Sequence, residues 1–119
     1  MKVTLLHHTP LEVCSNAIRT CWNSFDNSDN GGEKDRALID RVGNKFKHAS
    51  TLEHLSICVN IDNNNIAQTF KENSFSTVTG VLGNWVISTN VRALQDITLP
   101  IETKILLIPE SYKYLFSEH

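Results

Sequence analysis

SFSTVTGVLGNWVISTN, residues 74–90, decides how this 119-residue chain folds. Its two halves, SFSTVTG and NWVISTN, are rich in β-branched and aromatic residues, which suit a pleated, half-buried surface. The intervening VLG is a natural tight turn, so the stretch predicts a β-hairpin. Upstream, LSICVNI (55–61) alternates apolar and polar positions and is β-branched, which predicts another strand. KVTLLHH near the N-terminus has the content of a short first strand.

Between these runs the period changes from two to about 3.6. In TPLEV, Thr9 is a candidate N-cap, Pro10 occupies the first helical position and Glu12 completes a capping box. Leu11, Cys14, Ile18, Cys21 and Phe25 follow at spacings of three and four, one helical face that fades near Trp22 to Asn23. DNSDNGGEKD is a polar loop with adjacent glycines. A second helix is expected from about Glu33 to Lys47, with Leu38, Val42 and Phe46 as its stripe and Lys45 and Lys47 at its C-terminal end. NNNIAQTFKEN predicts a short helix opened by an asparagine cap, and RALQDI one or two turns. TKILLIPE is expected to be a strand and SYKYLFSEH a short terminal helix or tail. Helices early and strands later give an α+β class: a single domain over 1–119, with a mixed or antiparallel sheet and two N-terminal helices.

Composition narrows the function. The chain is 40% hydrophobic, enough for an ordinary core without metal or disulfides. Eleven basic and thirteen acidic residues give a formal charge of −2, and no basic block appears, so no nucleic-acid partner is expected. No apolar run approaches the roughly 20 residues of a membrane span, and the N-terminal run is too short for a signal-peptide core. Cys14, Cys21 and Cys58 are an odd set far below disulfide-scaffold density, which points to reduced thiols and a cytoplasmic location. No C-x-x-C is present, so a structural zinc site is not expected.

Three stretches could carry chemistry. KHASTLEHLS (47–56) brings together His48, Ser50, Thr51, Glu53 and His54. Ser50 and Glu53 are spaced as a capping box, and His48 would suit the end of the preceding helix. The same hydroxyls and imidazoles, placed in a turn, can donate to phosphate or to ring edges. The histidines are six apart, which matches no common zinc spacing. In STNVRAL (88–94), Asn90 and Arg92 stand at a strand end ahead of a helix, where an arginine fork beside helix N-terminal amides would receive phosphate. The bland alternative there is a capping asparagine and an exposed arginine. Arg19 in AIRTCWNSF lies off the apolar stripe and is by default a solvated charge. No glycine-rich phosphate loop or nucleophile elbow is present.

TPLEVCSNAIRTCWNSF and GGEKDRALIDRVGNKFKHASTLEHLSI together resemble the N-terminal part of the flavin-dependent thymidylate synthases, the ThyX family. His48, Ser50, Glu53 and His54 match that family's H-x-S-x-x-E-H element, STNVRALQDI is similar to its N-x-R-x-L element, and IPESYKYLF is similar to its C-terminal segment. The resemblance covers the first 60 residues well and residues 86–97 moderately. It implies a homo-oligomer with FAD held at an interface, and nucleotide-type ligands contacted by His48, Ser50, Thr51, Glu53, His54, Asn90, Arg92 and Arg19.

The chain also departs from the family. The arginine-rich signature R-H-R-x-x-S-x-N-E-x-S-x-R should follow the strand ending near Ile61, but DNNNIAQTFKEN stands there, with no arginine between Ile61 and Val91. The family's arginine soon after N-x-R-x-L is also absent from QDITLPIETK. Charge-assisted contacts of this kind are worth about 1.5–3 kcal/mol each, so full activity from this chain alone is not expected. The favoured expectation is therefore a non-catalytic nucleotide binder. Such a protein would sequester an ADP-ribose derivative or a cyclic oligonucleotide signal, a role suited to a viral protein in host cytoplasm. The alternative is a divergent flavin-dependent thymidylate synthase binding FAD and dUMP.

Overall fold

The computed structural model describes residues 1–22, 32–42 and 49–116, with the side chains at 17, 19–22 and 49–51 outside that description. Four strands, β1 (Val3–His8), β2 (Ser56–Ile61), β3 (Thr77–Val81) and β4 (Asn84–Asn90), form one antiparallel sheet in the order β1-β2-β4-β3. The α-helices are α1 (Leu11–Trp22), α2 (Glu33–Asp40), α3 (Asn64–Lys71), α4 (Val91–Asp96) and α5 (Ile101–Leu106). Among the described residues there are also two 3-10 helices, Ala49–His54 before β2 and Glu110–Phe116 near the C-terminus.

Alternation in the sequence decides which sheet face is covered. Ile57, Val59 and Ile61 of β2 and Trp85, Ile87 and Thr89 of β4 are buried on one face. Ser56, Cys58, Asn60, Val86, Ser88 and Asn90 alternate with them and stay more accessible, as expected for an antiparallel sheet with one face on the core. Leu11, Cys14 and Ile18 of α1, Ile39 and Val42, Phe70 of α3 and Leu94 of α4 join the same core. Each fully buried aliphatic or aromatic side chain contributes about 1.5–3 kcal/mol.

The hairpin forms where the sequence places it. Gly83 adopts φ +80 in the Leu82–Gly83 turn, and Gly80 adopts φ +126 at the end of β3. The Asn64 carboxamide oxygen accepts from both Gly83 N (2.9 Å) and Trp85 Nε1 (2.8 Å), which ties the turn to the start of α3. Lys71 Nζ lies 4.2 Å from the centroid of the Trp85 ring. Asn63 caps α3 by accepting from Ile66 N at 3.0 Å, as the asparagine run predicts.

Two expectations need correction, and a third runs beyond the described residues. TKILLIPE is not a strand: α5 covers Ile101–Leu106. A short apolar run does not by itself distinguish a strand from a buried helix. Here Pro100 precedes the first turn at φ −59, and Lys104 curls back so that Nζ donates to Gln95 O at 2.8 Å. The Thr9 hydroxyl is not engaged with its own helix but accepts from Ser56 N at 3.2 Å, across the β1–β2 junction. The second helix is regular over Glu33–Asp40 and stays helical through Arg41 and Val42; residues 43–47 of the expected Glu33–Lys47 span, Lys45, Phe46 and Lys47 among them, lie outside the described residues. Its buried positions include Asp35 and Ile39.

The C-terminal 3-10 helix closes the core. The Tyr112 hydroxyl donates to Thr9 O, and its ring meets that of His8 edge-on at 5.7 Å. Burial pushes the Tyr112 and Tyr114 hydroxyls well above the usual tyrosine range. Among the described residues, no helix is long and apolar enough to cross a membrane.

Candidate functional site

Sheet register brings the two family-like elements together. β2 begins at Ser56 and β4 ends at Asn90, and these residues are direct partners in the antiparallel ladder. The 3-10 helix entering β2 and the helix α4 leaving β4 therefore emerge from the same end of the sheet. Val91 N donates to Leu55 O at 2.9 Å, and Leu52, Leu55, Val91 and Leu94 are all buried where the two elements meet. Glu53, between the two buried leucines, and Arg92, next to Val91, then point out of this contact toward one another. Arg92 Nη1 donates to Glu53 Oε1 at 2.7 Å. The two side chains are 34% and 37% exposed, so the pair is neither fully solvated nor buried.

Asn90 does what a strand-to-helix asparagine is built to do. Its backbone is extended (φ −139, ψ 169), and its Oδ1 accepts from Ala93 N at 2.9 Å, capping α4. The α4 helix is only six residues long, and its first turn is occupied by this cap. That corrects the expectation of open N-terminal amides beside Arg92. Of the expected Ser50–Glu53 capping box, the Glu53 carboxylate engages Arg92, and the Ser50 side chain lies outside the described residues.

Phe75 completes the surroundings of Arg92. Asn73 Oδ1 accepts from Phe75 N and from Ser76 Oγ, both at 2.9 Å, which fixes the turn before β3. The Phe75 ring, 53% exposed, lies 5.4 Å from the Arg92 guanidinium carbon. Phe75 lies within the predicted strand run SFSTVTG, and the sequence carries no signal that it approaches Arg92; only the β3–β4 pairing brings them together.

Beside this cluster a cleft of about 300 Å³ opens on the less covered face of the sheet, lined among others by Phe75, Ser56 and Asn90. His7, Cys58, Ser88 and Thr77 also line it. His7, Cys58 and Ser88 were not singled out as site residues by sequence reasoning, because their proximity arises only from strand pairing.

The remaining candidates divide clearly. Ser50 and Thr51 lie in the 3-10 helix Ala49–His54, but their side chains are not described. His54 is exposed at the end of that helix, and His48 lies outside the described residues. Arg19 belongs to α1, with its side chain likewise not described. The structure thus joins Glu53, Asn90 and Arg92 and leaves the others unplaced or at the margin. No group of three metal-ligating side chains occurs among the described residues.

The sequence profile of the thymidylate synthase complementing protein family, Thy1, matches residues 4–70. The flavin-dependent thymidylate synthase of Campylobacter jejuni (strain RM1221) is 75% identical over 56 residues, 47% of this chain and 27% of that protein. The Wolinella succinogenes enzyme is 74% identical over 55 residues, 46% of this chain and 27% of that protein. The chain thus matches about a quarter of the length of these curated relatives. In three dimensions it is similar to thymidylate synthase X from Helicobacter pylori, crystallised with FAD and dUMP. The TM-score is 0.77 at 24% identity, over 98% of this chain and 97% of that one. The fold is therefore that of ThyX, and with more than half of its residues matched by the profile, the chain belongs to the Thy1 family of thymidylate synthase complementing proteins.

Proposed function

We propose that this chain is a divergent member of the flavin-dependent thymidylate synthases that binds FAD and a pyrimidine nucleotide of the dUMP class. One observation carries the proposal: Arg92, at the position matching the family's N-x-R-x-L element, is held by Glu53 of the H-x-S-x-x-E-H element. A guanidinium presents five donors, and one contact to a carboxylate leaves others for a phosphate. Phe75 offers an exposed ring on which a planar heterocycle can stack. The cleft is at the small end of ligand pockets, with room for one ring system or a nucleoside monophosphate rather than a whole dinucleotide. FAD would therefore extend beyond it, which fits assembly of this chain with further copies. The donor chemistry suits phosphate and ring edges, so Arg92, Asn90 and Phe75 are the residues to hold such a ligand.

A bound flavin would supply reducing equivalents for methylating the pyrimidine. The chain's own residues orient phosphate (Arg92, steadied by Glu53) and fix the strand-to-helix corner that carries it (Asn90). A purified protein that stays colourless and shows no flavin absorbance after incubation with FAD would contradict the proposal.

A second reading is favoured by a specific feature of the sequence. No arginine occurs between Ile61 and Val91, where the resemblance calls for the arginine-rich signature. On this reading the protein binds its nucleotide without converting it, and sequesters a nucleotide-type small molecule such as an ADP-ribose derivative or a cyclic oligonucleotide. Recovery of bound nucleotide unchanged after heating, with no dTMP formed from dUMP in the presence of a folate methylene donor and reductant, supports this reading. Formation of dTMP removes it.

A further inference from the structure

We propose that Glu53 sets the charge of the ligand that Arg92 takes. The preferred class is a singly charged phosphate ester, such as a phosphodiester or one phosphate of a dinucleotide pyrophosphate. The doubly charged terminal phosphate of a nucleoside monophosphate is the disfavoured one. This selectivity rests on the nucleotide binding already proposed for the same corner and refines it. Arg92 Nη1 holds Glu53 Oε1 at 2.7 Å, so the corner brings one positive and one negative charge to the ligand. A singly charged phosphate leaves the corner with one uncompensated negative charge, and a doubly charged phosphate leaves it with two.

Among the described residues, the surroundings of the pair offer little to neutralise a second charge. No lysine, arginine, aspartate or glutamate lines the adjoining cleft, whose titratable side chains are His7 and Cys58. His54, next to Glu53, is exposed at the end of its 3-10 helix. The amides that open α4 are engaged: Val91 N donates to Leu55 O and Ala93 N to Asn90 Oδ1. Phe75 presents its ring to the Arg92 guanidinium at 5.4 Å, and the face of an aromatic ring is its negative side. The ring therefore holds the cation and adds no attraction for an anion.

Glu53 acts on a ligand in two ways that can be separated. It steadies Arg92, which helps any phosphate equally. It also repels anionic charge, and this effect doubles when the phosphate carries two charges. A phosphate on the free donors of the guanidinium stands roughly 5–7 Å from the carboxylate on its other donor, a separation at which unit charges interact through water and protein together. With the two side chains 34% and 37% exposed, screening is incomplete, and each added ligand charge changes affinity by roughly three- to tenfold.

The test compares dUMP with its 5′-monomethyl phosphate ester by calorimetry on the full chain at pH 8. There the phosphomonoester carries two charges and the methyl ester one. The parental chain should bind the methyl ester the more tightly. Glu53→Gln keeps an accepting oxygen toward Arg92 but removes the charge, and should shift the ratio of the two affinities at least about threefold toward dUMP. Glu53→Asp keeps the charge and should restore the parental ratio. A loss of aim at Arg92 weakens both ligands alike and cancels in the ratio, so a merely structural role for Glu53 would not move it. If both ligands bind and Glu53→Gln leaves the ratio unchanged, or Glu53→Asp shifts it as far as Glu53→Gln does, the selectivity is overturned while nucleotide binding stands. If neither ligand binds the parental chain more tightly than about millimolar, nucleotide binding and the selectivity fall together.

Discussion

Arg92 Nη1 sits 2.7 Å from Glu53 Oε1, an ion pair that joins the 3-10 helix entering β2 to the helix leaving β4. Both side chains are about one-third exposed, so water screens the attraction and the pair stabilises the fold by no more than about 1 kcal/mol. A double-mutant cycle of Glu53→Gln and Arg92→Ala, read by urea unfolding, should give a coupling within that limit. A coupling above about 2 kcal/mol would mean that the pair is a structural element of the core rather than a means of aiming Arg92.

Asn90 should matter more to stability than the ion pair beside it. Its carboxamide caps α4, and Asn90→Ala is expected to cost about 1 kcal/mol, whereas Asn90→Asp keeps an accepting oxygen and should cost a few tenths. Urea midpoints of the two variants separate these outcomes. Equal losses would show that the cap is not what Asn90 contributes.

The hairpin gives a sharper contrast. A Cβ on Gly80 would lie 2.3 Å from Asn84 O, at a φ of +126 that side chains rarely adopt. Gly80→Ala should therefore destabilise by at least about 2 kcal/mol, through strain that the strand cannot release without breaking its pairing. At Gly83, with φ +80, an added Cβ meets nothing within 4 Å, so Gly83→Ala should cost only about 1–2 kcal/mol from the left-handed backbone. Thermal or urea unfolding of the two variants should rank them in that order.

Alkaline stability should fall in a defined window. Burial pushes the Cys14 thiol from 9.0 up to about 12. Between these values the folded chain keeps a proton that the unfolded chain has released, so rising pH favours unfolding. The stabilisation is complete below pH 9 and is lost progressively toward pH 12. At about 1.4 kcal/mol per unit for one proton, the Cys14 contribution to the loss approaches about 4 kcal/mol. The raised Tyr112 and Tyr114 hydroxyls add to it in the upper part of the range. Urea unfolding at stepped pH should show this slope, and Cys14→Ala should make it shallower between pH 9 and 12.

Much of this architecture was legible in the sequence because local signals agreed with the global fold. The β-branched runs around Gly83, the Asn63 cap and the Leu11–Cys14–Ile18 face each specify an element on their own, and each is present. Where local signals were ambiguous, tertiary context decided. TKILLIPE has strand-like composition, yet Pro100 before it and the Lys104–Gln95 contact favour a helical turn. Thr9 carries the chemistry of an N-cap, but a neighbouring strand offers Ser56 N at hydrogen-bond distance. The site was half legible for the same reason. Motifs could name Glu53, Asn90 and Arg92, but only the Ser56–Asn90 register explains why they converge. Phe75, His7 and Cys58 carry no motif, and no spacing in the chain announces that strand pairing sets them around one cleft.

The proposed function turns on whether Arg92 and its surroundings receive a nucleotide. Calorimetric titration of FAD and of dUMP, separately and together, into the chain and into Arg92→Ala tests it most directly. Removing one charge-assisted contact worth about 1.5–3 kcal/mol should weaken binding about 10- to 150-fold while leaving the unfolding midpoint nearly unchanged. Saturable binding of at least one ligand, tighter than about millimolar, is expected, and Arg92→Ala should weaken it to this extent. Heats no greater than dilution with either ligand, or binding that Arg92→Ala leaves untouched, would contradict it.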